Sequence, residues 1–281
     1  MILNQSIKLN NEMKMNFEKI CNQVVKITLE AGNYIREQRN EFSFDKVETK
    51  GLHDFVSHVD KESERRLVEG LTEIIPSSGF IAEEGTGEPK PDGLNWVIDP
   101  LDGTTNFIHG LPPYAISIAL MDKQEIVLGV IYEVSLNECF YAYGNGKAYL
   151  NGKEISVSKI SKVDDALIAT GFPYYDYDRL QPFMQSMQYF MKHSHGLRRL
   201  GSAATDLAYV ACGRFEAFYE YSLQAWDVAA GAFIVEQAGG RVSDFNGGKN
   251  YIFGKEIVAA NGSIFNSFLN VVKEHMPTTH K

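Results

Sequence analysis

The chain has 281 residues, 44% apolar and 22% charged, and its 27 basic against 36 acidic side chains give a net charge of −9. That length allows one large domain or two subdomains sharing an interface, and the composition is that of an ordinary globular protein. The acidic balance, without a Lys/Arg stripe, argues against nucleic acid as a partner, and no apolar run is long enough to cross a bilayer. The N-terminal stretch lacks the continuous apolar segment of a secretory leader. Cys21, Cys139 and Cys212 are odd in number, far apart and set among apolar residues, which suits reduced, buried thiols in a cytoplasmic protein.

Residues 1–12 are polar and patternless, and read as frayed. From Phe17 the apolar positions Ile20, Cys21, Val24, Ile27, Ala31, Tyr34 and Ile35 fall at helical spacing. Asn40–Lys50 reads as a loop or hairpin, and a second amphipathic helix follows Asp60 until Pro76-Ser-Ser-Gly79 stops it. Then the period changes. Gly79–Ala82, Trp96–Ile98, Ala115–Met121, Ile126–Tyr132 and Cys139–Tyr143 are short strand-like runs, with hairpin turns at Gly144-Asn-Gly146 and Asn151-Gly152. Strands in succession predict an antiparallel sheet carrying the earlier helices on one face. A second region begins at Asp164–Thr170. It continues with helices near Leu180–Met191 and Ala203–Cys212, a strand at Ala217–Tyr221, a helix at Asp227–Ala238 and a last strand at Ile257–Ala260. The expected subdomains are 13–158 and 159–281.

Acidic residues collect where these elements end. Glu83 and Glu84 follow one predicted strand, Asp99 and Asp102 follow another, and Asp227 opens a helix. Each has a plain reading on its own. Asp227 is a natural helix cap, Glu83-Glu84 a solvated pair, Asp102-Gly103 and Asp99-Pro100 turns. Their joint occurrence in Trp96-Val-Ile-Asp-Pro-Leu-Asp-Gly-Thr-Thr-Asn-Phe107 suggests more. Hard cations such as Mg²⁺ take carboxylate oxygens, and a turn entering a helix offers N–H groups to an anion. Metal and phosphate would then meet at one strand end. His53 and His58 are more simply solvated, and Arg198-Arg199 could be either a phosphate contact or an ordinary strand-end charge pair. Gly51–His58 could form a lid.

Glu83-Glu84, Asp99-Pro-Leu-Asp-Gly-Thr-Thr-Asn-Phe107, Trp226-Asp-Val-Ala-Ala-Gly231 and the stretch Gly201–Gly213 together resemble the inositol monophosphatase family of magnesium-dependent, lithium-sensitive phosphatases. The resemblance runs from about Phe17 to Ala260. It implies an α+β fold, the layered αβαβα sandwich shared with fructose-1,6-bisphosphatases, and a cytoplasmic homodimer. It implies two to three Mg²⁺ held by Glu83, Asp99, the Leu101 carbonyl, Asp102 and Asp227. By the same resemblance Glu83, Thr104 and Asp60 are the catalytic group. Asp102, Gly103, Thr104, Gly201, Ala203, Glu220 and Asp227 are the substrate contacts.

The implied reaction is hydrolysis of a small polyol phosphate, with myo-inositol 1-phosphate the foremost substrate, by in-line attack of a metal-activated water. The alternatives are fructose 1,6-bisphosphate, histidinol phosphate and adenosine 3′,5′-bisphosphate, or a non-catalytic role as a partner of the transcription machinery.

Overall fold

The computed structural model describes residues 15–41, 47–51, 54–173 and 176–276. The expectations placed on residues 1–12 and on His53 lie outside them. Helix α1 (Phe17–Asn40) is capped by Asn16, whose side chain accepts from Lys19 N, and it buries Cys21, Val24, Thr28, Ala31 and Ile35 along one stripe. The next segment forms the antiparallel hairpin β1 (Val47–Gly51) and β2 (Asp54–Ser57), which leads into α2 (His58–Ile74). Helices α1 and α2 pack side by side on one face of a seven-stranded sheet, over a core that includes Trp96, Ile98, Ile118, Val130 and Tyr132.

The sheet runs in chain order: β3 (Gly79–Ala82), β4 (Leu94–Asp102), β5 (Ala115–Asp122), β6 (Glu125–Glu133), β7 (Glu138–Tyr143), β8 (Ala148–Leu150) and β9 (Lys153–Ile155). Helix α3 (Thr104–His109) lies between β4 and β5. The expected antiparallel pairing holds from β4 onward but not at its first pair, since β3 and β4 are parallel with Ala82 opposite Ile98. The connection over residues 83–93 carries the chain back to the starting edge, so both strands end on the same side. Glu83 and Asp99 thereby become neighbours, and Glu83 N donates to the Ile98 carbonyl.

A second sheet follows a 3₁₀ turn at Val163–Asp165. It contains β10 (Leu167–Thr170), β11 (Gly196–Arg198), β12 (Ala217–Tyr221), β13 (Gly240–Ser243) and β14 (Glu256–Asn261), in the order β11-β10-β12-β14-β13. Helices α5 (Ala203–Ala211) and α6 (Ala225–Gln237) fill the space between the sheets and are apolar nearly all round, as burial on both sides requires. Helices α4 (Leu180–Lys192) and α7 (Phe265–His275) cover the far face. Helices, sheet, helices, sheet, helices: the αβαβα sandwich is present.

Three differences from the sequence expectations matter. Strands β8, β9, β11 and β13 have three or four residues each, too few to show a period. The chain does not end on its last strand, because Phe265, Phe268, Leu269 and Val272 form the buried stripe of α7. Helix α6 starts at Ala225, with Gln224 as its cap. Asp227 therefore sits inside the first turn rather than at the cap, and its carboxylate accepts from Gln224 N at 2.6 Å.

Candidate active site

Strand β4 delivers two carboxylates to one spot through a defect in its pairing. Side chains alternate along a strand, so positions 99 and 102 would ordinarily face opposite sides. Asp99 pairs with Ser117 and Asp102 with Ala115, three steps on β4 against two on β5. This bulge coincides with Pro100, which has no N–H to give to the ladder, and the extra residue turns Asp102 to the side of Asp99. Asp99 is 2% exposed and its Oδ1 accepts from Leu101 N at 2.9 Å.

Gly103 then reverses the chain into α3 with φ of 90°, a left-handed conformation. A Cβ there would lie 3.0 Å from the Pro113 carbonyl and 3.1 Å from that of Gly201, so two backbones close on this residue. Thr104 Oγ1 lies 3.0 Å from Asp60 Oδ1 and 3.0 Å from the Leu101 carbonyl. With one proton it serves one of them at a time. Asp60, in the first turn of α2, is buried.

Asp102 is fixed from the other side of the cleft. Its Oδ2 accepts from Ser202 Oγ and from Ala204 N, both at 2.7 Å. Ser202 also caps α5 by accepting from Thr205 N, so one hydroxyl joins the helix N-terminus to the carboxylate. Asp227 comes from the first turn of α6. Oxygens of Asp99, Asp102 and Asp227 all lie within 4.8 Å of one another. Glu83 reaches Asp99 by a side-chain hydrogen bond.

Burial and mutual repulsion set the protonation of this group. Desolvation first, then Glu83, Asp102 and Asp227, push the Asp99 carboxyl well above the usual range. Burial and the Asp102 charge do the same to Asp227. Asp102 rises to about 6 by burial, held back by its bonds from Ser202 and Ala204 and by the Arg199 charge. Carboxylates so crowded ionise together only if cations share the site. An all-oxygen donor set of this kind suits a hard divalent ion.

A cavity of about 490 Å³ opens from these carboxylates, and its walls include Gly103, Thr104, Gly171, Arg199, Gly201, Ala203, Asp206, Glu220 and Ser222. Every predicted metal and substrate position lies on this cavity, with Asp60 behind Thr104. Glu220, 6% exposed at the end of β12, has its carboxyl pushed up to about 8 by burial, against the pull of Arg199. Ser222, two residues on, has φ of 70°, strain of the sort that collects at functional sites.

The two arginines part company. Arg198 is exposed and donates to the Leu197 carbonyl, whereas Arg199 faces the cavity. His58 is exposed and pairs with Gln38 at 3.0 Å, and it does not line the cavity.

Supporting residues escaped the sequence reading. Glu64, fully buried on α2, accepts from Glu84 N and Thr86 N at 2.7 and 2.8 Å and so anchors the turn bearing Glu83. Asn106 Nδ2 donates to the carbonyls of Pro113 and Leu200, tying α3 to the segment before Gly201. Glu64 carries no sequence signal, being one acid among many on a charged helix. Ser202 has the signature of a cap, and Asp206 is the lone charge of an otherwise apolar helix.

Fold and pocket define a layered α+β protein with a carboxylate cluster fit for divalent cations at a strand end. Residues 16–276 match the inositol monophosphatase family, and the chain belongs to it. It is 38% identical over 256 residues to the inositol-1-monophosphatase of Mesorhizobium japonicum, covering 91% of this chain and 96% of that protein. It is also 38% identical over 258 residues to the Nus factor SuhB of Escherichia coli K12, covering 92% and 97%. Among solved structures, the extragenic suppressor protein suhB of Bartonella henselae superposes with a TM-score of 0.86 at 37% identity, over 90% of this chain and 98% of that one. The Thermotoga maritima IMPase gives 0.81 at 34% identity, over 89% and 95%.

Proposed function

We propose that this chain is a Mg²⁺-dependent phosphomonoesterase that hydrolyses a small polyol phosphate, myo-inositol 1-phosphate foremost. The observation that carries the reading is the meeting of Asp99, Asp102 and Asp227 within 4.8 Å, with the Thr104–Asp60 pair and the Gly103 turn on the same cavity. Glu83, Asp99, Asp102, Asp227 and the Leu101 carbonyl would hold the ions. Bound Mg²⁺ would neutralise phosphate charge and make water a better nucleophile at neutral pH.

The chain's own groups do the rest. The N–H groups of Gly103 and Thr104, at the start of α3, receive phosphate oxygens. Thr104 Oγ1 donates its hydrogen bond to Asp60 and keeps its proton, which leaves its lone pairs free to accept from the attacking water and aim it at phosphorus. Glu83 takes the proton that water loses, since an alcohol does not ionise near neutral pH. Gly201, Ala203 and Glu220 contact the alcohol. Phosphoryl transfer is served chiefly by such positioning and charge neutralisation.

The test is kcat/KM for myo-inositol 1-phosphate, fructose 1,6-bisphosphate, histidinol phosphate and adenosine 3′,5′-bisphosphate, with Mg²⁺ varied and Li⁺ added. Preference for the first, Mg²⁺ dependence and Li⁺ inhibition are expected. Absence of Mg²⁺-dependent hydrolysis of all four would refute the reading.

A relative of equal identity carries the name Nus factor SuhB, which makes a non-catalytic role as a partner of the transcription machinery the second reading. Asp99→Asn separates the two. Retained biological activity without hydrolysis would favour the partner role.

A further inference from the structure

One buried acid on the cavity wall has no part in the scheme above. Asp206, in the first turn of α5, is 1% exposed, and its Oδ1 is shielded from solvent without a hydrogen-bond partner. The needs of the helix end are met by others. Ser202 accepts from Thr205 N, and Asp102 accepts from Ala204 N. Asp206 is also outside the triad of converging carboxylates. Native proteins seldom leave a buried polar atom unsatisfied, and each such case calls for a cause. Here the atom belongs to a residue that borders a cavity, so a bound molecule is the natural partner.

The neighbours define the chemistry of that molecule. Glu220 and Asp102 press on Asp206 electrostatically, and Arg199 offsets them. Glu220 lies against bare backbone at the end of β10, since a Cβ on Gly171 would fall 1.9 Å from its Oε1. The wall thus presents two carboxyls with a guanidinium facing both. Hydroxyls fit, because each both donates and accepts.

We infer that Asp206 is a substrate-binding residue which, with Glu220 and Arg199, holds hydroxyl groups of the alcohol on the side remote from its phosphate ester. The inference rests on the phosphatase reading and extends it. The preferred alcohol carries at least two hydroxyls far enough apart to reach Glu220 and Asp206 together. A monohydric or aryl phosphate forfeits both contacts.

The experiment compares wild type with Asp206→Asn and Asp206→Ser on myo-inositol 1-phosphate and on p-nitrophenyl phosphate, which has no hydroxyl beyond the ester. It measures kcat and KM separately, with thermal melting alongside. The ratio of kcat/KM for the polyol ester to that for the aryl ester is expected to fall roughly 10- to 100-fold, the cost of leaving a buried polar group without its partner. The fall should reside mainly in the KM of the polyol ester. An unchanged ratio, from equal losses or from none, overturns the inference, as does failure of both variants to fold. If wild type itself cleaves neither ester with Mg²⁺ present, the phosphatase reading fails first. If wild type cleaves both and the variants keep its ratio, only the role of Asp206 fails.

Discussion

Burial pushes the Glu220 carboxyl up to about 8, against about 4.3 for an unfolded glutamate. Between those values the unfolded chain has lost a proton that the folded chain keeps. Stability from this group is therefore complete below the lower value and declines as pH rises through the window, by up to about 1.4 kcal/mol per unit. Glu220→Gln removes the titration. Melted in EDTA, the variant should gain on wild type steadily from about pH 5 to about pH 8, and parallel curves would show that Glu220 titrates normally. Ser202 offers a second test. Its hydroxyl bonds Asp102 Oδ2 and caps α5 at once. Ser202→Ala should lower Mg²⁺ affinity or kcat/KM roughly 10- to 100-fold, the usual effect of losing an outer partner of a metal ligand. It should also cost about 1 kcal/mol in urea unfolding through the lost cap. A stability loss with normal Mg²⁺ dependence would confine Ser202 to capping.

Among the elements, what the sequence revealed depended on length and on locality. Helices α1 and α2 show their stripes over many turns, and β4, β5 and β6 are long enough to display a strand pattern. The short strands β8, β9, β11 and β13 show none, and they take their shape from pairing with their neighbours. The site behaves alike. Asp99, Asp102, Gly103 and Thr104 are contiguous and legible as a motif. Glu64 bonds backbone groups 20 and 22 positions away, and Asp206 meets Glu220 and Asp102 only in the folded cavity, so no local motif marks their roles. Even the parallel pairing that sets Glu83 beside Asp99 is a choice of topology, invisible to local pattern. Spacing between elements is likewise encoded by single small residues. Helix α6 meets β6 at Gly129, where a Cβ would sit 2.8 Å from the Ala230 carbonyl and 3.2 Å from Ala230 Cα. Backbone cannot swing aside as a side chain can. Gly129→Ala is expected to cost about 1–3 kcal/mol by overpacking and, because α6 carries Asp227, to raise the Mg²⁺ concentration needed for half-maximal activity. Unfolding and Mg²⁺ titration of one preparation would check both. A destabilised variant with unaltered Mg²⁺ dependence would show that Asp227 is insulated from the packing of its helix.

At the scale of the whole molecule, the carboxylate cluster joins two layers far apart in sequence: β3 and β4 of the first sheet, and α6 between the sheets. Repulsion among Glu83, Asp99, Asp102 and Asp227 therefore works against the closure of the sandwich until cations arrive. Ligand binding to the folded state alone adds stability by mass action, about 2.7 kcal/mol when the ion is a hundredfold above its Kd. For a chain of this size that corresponds to a melting shift of roughly 5–10 °C. Asp99→Asn should invert the order of stabilities. In EDTA the variant lacks one of the crowded acids and should melt at or above wild type. In saturating Mg²⁺ it should gain little, while wild type gains the full shift, and hydrolysis by the variant should drop more than about 100-fold. Paired melts of both proteins with EDTA and with Mg²⁺ decide the matter. If Asp99→Asn melts below wild type in EDTA yet responds equally to Mg²⁺, the cluster is a structural network, and cation binding lies elsewhere.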